Sequence, residues 1–159
     1  MDHDEVDQTM TDRMWNHITR TLVDTGRPPH YAELAGALGV TPAESRALLH
    51  AVLQVYPIGW VHPDTDYIAS FPPLNGLPTQ YRITVRGEQK WFAQCGFEAT
   101  SATWLFPGER VRIDVACLDC GEPLTVEMLD GRLTWIDPPT VTGHLNYGFG
   151  PSRGRTPYL

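Results

Sequence analysis

The spacing of apolar residues changes along the chain, and that change limits the fold more than any single motif does. Over residues 11–24, Met14, Ile18 and Leu22, with Trp15 beside them, form a stripe at helical spacing. Gly26, Pro28 and Pro29 then predict a stop. A second, short helix is expected over 30–38, with Leu34, Ala35 and Leu38 inward and Gly39 ending it. Thr41-Pro42-Ala43-Glu44 opens a third helix. Thr41 suits the N-cap, Pro42 the first helical position, and Glu44 reaches back to complete a capping box. Leu48, Leu49, Val52 and Leu53 form its expected buried side.

From residue 58 the pattern becomes short runs bounded by turn residues. Ile58-Gly59-Trp60-Val61 and Tyr67-Ile68-Ala69-Ser70 flank His62-Pro63-Asp64-Thr65-Asp66, a strand, a turn and a return strand. Three helices followed by this hairpin predict a winged-helix-like lobe over 11–74, after a solvated leader at 1–10. A Pro-rich connector covers 71–79. Alternating runs at 81–85, 90–93, 110–116, 124–128 and 133–136 then predict a small antiparallel β lobe over 75–151. Residues 95–104 read as a helix embedded in it, with Phe97, Ala99 and Ala102 available for packing. Asp130-Gly131 marks a hairpin turn. His144, Asn146 and Tyr147 fall on an expected last strand, and 152–159 read as a loose tail. Trp91, Trp104 and Trp135 are expected in the core, one of them able to wall a substrate pocket. The fold class is therefore α+β.

Composition narrows the function. With 159 residues, 42% of them hydrophobic, the chain can bury one sizeable core. A formal net charge of −7 repels a phosphate backbone. The third helix offers Arg46 as its only cation, with Ser45, His50 and Gln54, too little for counterion release. Nucleic-acid binding is disfavoured, and the helical lobe is expected to pack on the β lobe or form a homodimer. No apolar run approaches 18 residues, so no membrane span is expected. The N-terminus is acidic and polar, unlike a signal peptide, which predicts a cytoplasmic protein. Its three cysteines are then expected as thiols, metal ligands or catalytic groups.

Two cysteine motifs carry chemistry. In Cys95-Gly96-Phe97-Glu98 a thiol and a carboxylate stand three residues apart, on one face of a helix. A thiolate near a helix start is favoured by the backbone dipole, and Glu98 could exchange a proton with a substrate or leaving group. Cys117-Leu118-Asp119-Cys120-Gly121 has the spacing of half a zinc site. No second pair exists, so Cys95 would be the third ligand and His144, His62 or Glu122 the fourth, around zinc, copper or mercury. An unmetallated structural turn is the alternative. Thioredoxin-like redox use is disfavoured because no βαβ pattern surrounds the pair.

The stretch Trp91-Phe92-Ala93-Gln94-Cys95-Gly96-Phe97-Glu98-Ala99-Thr100 resembles the catalytic segment of the organomercurial (alkylmercury) lyases. In that family an aromatic-Ala-x-Cys-Ala-x-Asp stretch supplies a nucleophilic cysteine and a proton-handling aspartate. The order of parts is similar too: a helical lobe, a Pro-rich connector, the cysteine helix, then a strand with a cysteine turn. The resemblance implies that Cys95 is the first catalytic cysteine and Glu98 the aspartate, one methylene longer. It implies a small-molecule substrate, no required cofactor, and a pocket drawn from Trp91, Thr142, His144 and Tyr147. The family's second, late cysteine has no counterpart; Thr142 or Gly143 stands near its place. Two thiolates normally hold mercury while an acid protonates the carbon. The expectation is a lyase-like enzyme working through Cys95 and Glu98, and not an efficient organomercurial lyase. The alternatives are a soft-metal binding or sensing protein using Cys95, Cys117 and Cys120, and a winged-helix regulator.

Overall fold

A computed structural model describes residues 3–55 and 58–143. The fold is α+β, with three helices leading into one antiparallel sheet of eight strands and a fourth, short helix set within the strand order.

The first helix, α1, is His3–Thr25. It begins eight residues before the expected start, so residues 3–10, read as a leader, are helical. Met14, Ile18 and Leu22 lie on its buried stripe. Gly26 closes it: its N–H donates to the Leu22 carbonyl at 2.8 Å, and its φ is 73°. A side chain at Gly26 would also strike Lys90, with a built Cβ only 2.5 Å from its Cγ. The positive φ and this close approach both call for glycine.

Helix α2 is Tyr31–Leu38 and helix α3 is Pro42–Val55. Both open on reciprocal caps. At α3 the Thr41 N–H donates to Glu44 at 2.8 Å and the Glu44 N–H to the Thr41 hydroxyl at 3.3 Å, as the sequence predicts. At α2 the cap is His30, whose Nδ1 accepts from Ala32 N–H at 3.2 Å, while Glu33 accepts the His30 N–H at 2.9 Å. That second box escaped the sequence reading because histidine is not an ordinary capping residue. Leu49 and Val52 are buried on α3, while Leu48 and Leu53 are half-buried.

The strands are β1 (Trp60–Val61), β2 (Ile68–Phe71), β3 (Leu74–Asn75), β4 (Tyr81–Val85), β5 (Glu88–Ala93), β6 (Arg110–Ala116), β7 (Pro123–Leu129) and β8 (Arg132–Asp137). Their order across the sheet is β1-β2-β3-β5-β4-β6-β7-β8. The segment expected as a plain connector contributes β3, which pairs Asn75 with Phe92 of β5. The hairpin after α3 is thereby joined edge to edge with the β lobe in one sheet. β4 keeps strict alternation: Tyr81, Ile83 and Val85 are buried and Arg82 is exposed. Leu22, Leu34, Leu49 and Val52 from the helices share a single core with Ile68, Phe71, Leu74, Ile83 and Val111 from the sheet.

Two links pin the helices to the strands that lead to the cysteine segment. Trp91 of β5 is buried, and its indole Nε1–H donates to the carbonyls of Leu22 at 2.9 Å and Val23 at 3.0 Å. Asp66, between β1 and β2, accepts from Arg46 Nε at 2.7 Å and lies 2.6 Å from His50 Nε2, tying α3 to the hairpin. Trp104 and Trp135, expected in the core, are instead 77% and 45% exposed. Trp104 lies against the β7–β8 turn, where a Cβ on Gly131 would meet its Nε1 at 2.6 Å. Trp135 stands opposite Glu127 on β8, the edge strand of the sheet, where it stays partly open to solvent.

Candidate active site

β5 ends at Ala93, and Gln94 and Cys95 carry the chain into helix α4, Gly96–Ser101. The expected helix over 95–104 is split: α4 is followed by a 3₁₀ turn at Ala102–Leu105. Cys95 is the N-cap residue, in extended conformation, and its side chain makes no capping bond. The thiol is partly buried. Its carbonyl accepts from Ala99 N–H at 2.9 Å, so α4 starts directly behind the sulfur. Ala99 and Ala102 pack into the core as expected, but Phe97 turns outward and is 62% exposed.

Glu98 lies one turn along α4, on the side of the preceding strand. Its Oε2 accepts the Gln94 backbone N–H at 3.1 Å. Burial raises its carboxyl pKa from an ordinary 4.5 to about 6, against the opposing pull of that N–H. An acid poised there can hold a proton near neutral pH and release it in a reaction. Gln94 is itself buried, and its side-chain amide donates to the Ser70 hydroxyl on β2. The residue between strand and cysteine therefore anchors this segment to the hairpin. Nothing in the sequence singled it out; the signal would have been a polar residue at an inward position just after an apolar strand.

The raised Glu98 pKa has a consequence for stability. The folded state binds more protons than the unfolded chain between pH 4.5 and about 6, so stability falls as pH rises through that window. Glu98→Gln keeps an acceptor for the Gln94 N–H and removes the charge. We expect it to be more stable than the parent at pH 7 by about 1–2 kcal/mol, discounted for partial exposure, with the difference vanishing near pH 4. Urea unfolding at the two pH values checks this; an equal effect at both would mean that the carboxyl does not titrate with folding.

Of the other expected pocket residues, Trp91 and Thr142 lie within the described residues. Trp91 is a core residue, edge-on to Phe106 at a centroid distance of 4.8 Å. Thr142 is exposed, beyond β8. His144 and Tyr147 lie outside the described residues. His62 sits between β1 and β2, stacked on Tyr67 at 5.8 Å. Among the described residues no three His, Cys, Asp or Glu side chains come together as a metal site, so Cys95 does not join Cys117 and Cys120. A hollow of about 250 Å³ between α1 and α2 is lined by His17, Thr21, Arg27, Glu33 and Leu34, and includes neither Cys95 nor Glu98.

Cys117 and Cys120 occupy the turn between β6 and β7. The Cys117 N–H donates to Glu122 O at 2.8 Å and Gly121 N–H to Cys117 O at 3.0 Å. Backbone N–H groups of Cys120 and Asp119 also point at the Cys117 sulfur and hold its pKa below the ordinary thiol value. Cys120 is exposed.

Residues 74–149 match the family model described as MerB, alkylmercury lyase. Over that span, just under half of the chain, the sequence is similar to the alkylmercury lyase family. Among solved structures, the fold is similar to the crystal structure of the mercury-bound form of MerB2, with a TM-score of 0.60 and 20% sequence identity over 84% of this chain and 68% of that one. At that identity the likeness shows the fold. No curated protein matches the chain. The matched span begins at β3 and takes in Cys95, Glu98 and the Cys117–Cys120 turn, while the helices before it share its core. No helix among the described residues is long and apolar enough to cross a membrane.

Proposed function

We propose that this protein is an alkylmercury lyase-like enzyme acting on a small molecule, with Cys95 as soft nucleophile or ligand and Glu98 as the proton carrier. The observation that carries this reading is the carboxyl of Glu98, raised to about pKa 6 by burial and fixed by Gln94 one turn from an uncapped thiol. For a substrate carrying a carbon–metal bond the steps balance as follows. The Cys95 thiol gives its proton to the Glu98 carboxylate, and its sulfur bonds to the metal, displacing the counter-ligand. The Glu98 carboxyl then delivers that proton to the carbon, the carbon–metal bond breaks, the hydrocarbon leaves, and the metal stays on sulfur. One thiolate holds mercury less well through this step than two. Turnover of organomercurials is therefore expected to be slow, and the pocket to serve another small substrate better.

The regulator reading finds less support. Of the side chains that α3 could offer to DNA, Arg46 and His50 are engaged with Asp66, and the Ser45 hydroxyl donates to Tyr31 O at 2.7 Å.

Cys95→Ser tests the proposal. It should abolish release of hydrocarbon from a simple arylmercurial such as phenylmercuric acetate, read by gas chromatography of benzene, while far-UV circular dichroism stays unchanged. A folded variant that released benzene at the parent rate would remove Cys95 from the chemistry.

A further inference from the structure

We propose that Cys117 and Cys120 form a two-thiolate site for mercuric ion, separate from Cys95 and placed to take the ion that the lyase-like reaction leaves there. The source of the ion rests on the function proposed above; the site itself does not.

Four observations carry it. First, the turn is built around a sulfur. The N–H groups of Asp119 and Cys120 donate to the Cys117 sulfur, and the Cys120 side chain is also in hydrogen-bond contact with it. Two further backbone bonds, Cys117 N–H to Glu122 O at 2.8 Å and Gly121 N–H to Cys117 O at 3.0 Å, hold the turn shut. Gly121 takes φ 75°, with open space around its α-carbon.

Second, the pair has no third partner among the described residues. Among the described residues no cluster of three or more His, Cys, Asp or Glu exists. Zinc needs four ligands, so the turn does not suit it, whereas mercuric ion is satisfied by two soft thiolates. With metal–sulfur bonds of about 2.3 Å, the two sulfurs need to stand no more than about 4.6 Å apart. Rotation of the exposed Cys120 side chain covers the small opening from hydrogen-bond contact.

Third, the turn is open to solvent. Cys120 is exposed and the neighbouring Leu118 is 74% exposed, so an incoming ion or thiol complex meets no wall.

Fourth, the register places the turn beside the candidate active site. Tyr81 of β4 pairs with Ala93 of β5, and Arg82 of β4 pairs with Asp114 of β6. Both β5 and β6 therefore run out at the beginning of β4. The chain leaves β5 toward Cys95 and leaves β6 toward Cys117 at the same end of the sheet, with one strand between them.

The binding step balances. Two S–H bonds break, two S–Hg bonds form, two protons pass to water, and the neutral bis-thiolate remains. An ion arriving from Cys95 exchanges one sulfur for two, and Cys95 regains its proton.

The test is titration of the full chain with mercuric chloride against a competing monothiol, followed by native mass spectrometry and sulfur-to-mercury absorption in the ultraviolet. Three forms are compared: parent, Cys95→Ser, and the double variant C117S/C120S. Cys95→Ser should bind one mercury with loss of two protons and protect both remaining thiols from iodoacetamide. The double variant, left with Cys95 alone, should bind at least ~100-fold more weakly against the competitor, because its second sulfur must come from solution. Equal binding by the two variants would overturn the site. Arylmercurial turnover, measured in parallel, separates the two proposals. A parent without turnover whose Cys95→Ser variant still binds mercury as described would refute the enzyme reading and leave this site standing.

Discussion

Glu98→Gln is expected to lower turnover by about 10²–10⁴-fold while Cys95 still binds mercury. The amide keeps the Gln94 N–H bond of 3.1 Å, so α4 and the cysteine stay in place. On the mechanism proposed above, what is lost is the delivery of a proton to carbon. With the parent, the rate should fall as pH drops below about 6, because the carboxyl raised to that value by burial is then already protonated and cannot take the Cys95 proton that it must pass to carbon. The variant's residual rate should lack that fall. Stopped-flow or chromatographic rates from pH 5 to 8 decide the matter, and unchanged turnover in Glu98→Gln would show that another acid serves. Glu98→Asp is the informative companion. It restores the shorter side chain found in the related lyases, and recovery of rate would show that the carboxyl's reach, not merely its presence, sets the chemistry.

The second large effect is on folding. Trp91→Ala should destabilise the protein by about 3–5 kcal/mol, the usual range for deleting a buried aromatic. Trp91 fills space against Phe106 and holds the end of α1 through both Leu22 and Val23 carbonyls. Removing it opens a cavity and leaves those carbonyls without their indole donor. It also loosens β5, the strand that carries Cys95, so activity should fall with stability. Trp91→Phe retains most of the volume and loses only the indole N–H, so about 1–3 kcal/mol is expected. Urea denaturation of both variants tests the point; if Trp91→Ala cost no more than Trp91→Phe, packing would not be what Trp91 contributes.

Much of the fold was legible because local chemistry and tertiary packing ask for the same thing. The stripe of Met14, Ile18 and Leu22, the Thr41–Glu44 box and the alternation through Tyr81, Ile83 and Val85 all hold in three dimensions. The misreadings have a common cause. An aromatic residue is a good core candidate by itself, but whether the sheet is covered where it stands depends on partners far along the chain. Trp91 meets α1, whereas Trp135 stands on the edge strand and stays partly exposed, and Trp104 lies against a turn. In the same way β3 is too short to show as a strand, and exists because β2 and β5 offer open backbone on both sides. At the candidate site, the sequence marked Cys95, Glu98, Cys117 and Cys120 by residue type and spacing, but missed Gln94, whose role lies in what it touches.

The sequence by itself therefore determined the α+β class, the stops of the first two helices and the start of the third, the inward face of β4 and the candidate reactive groups, because those follow from residue type and period. Only the tertiary structure decided that the helical lobe and the β lobe share one sheet and one core. It alone buried Glu98 enough to raise its pKa, kept Cys95 apart from the Cys117–Cys120 turn, and brought both to the same end of the sheet. Burial and register come from contacts between distant segments, and no local pattern carries them.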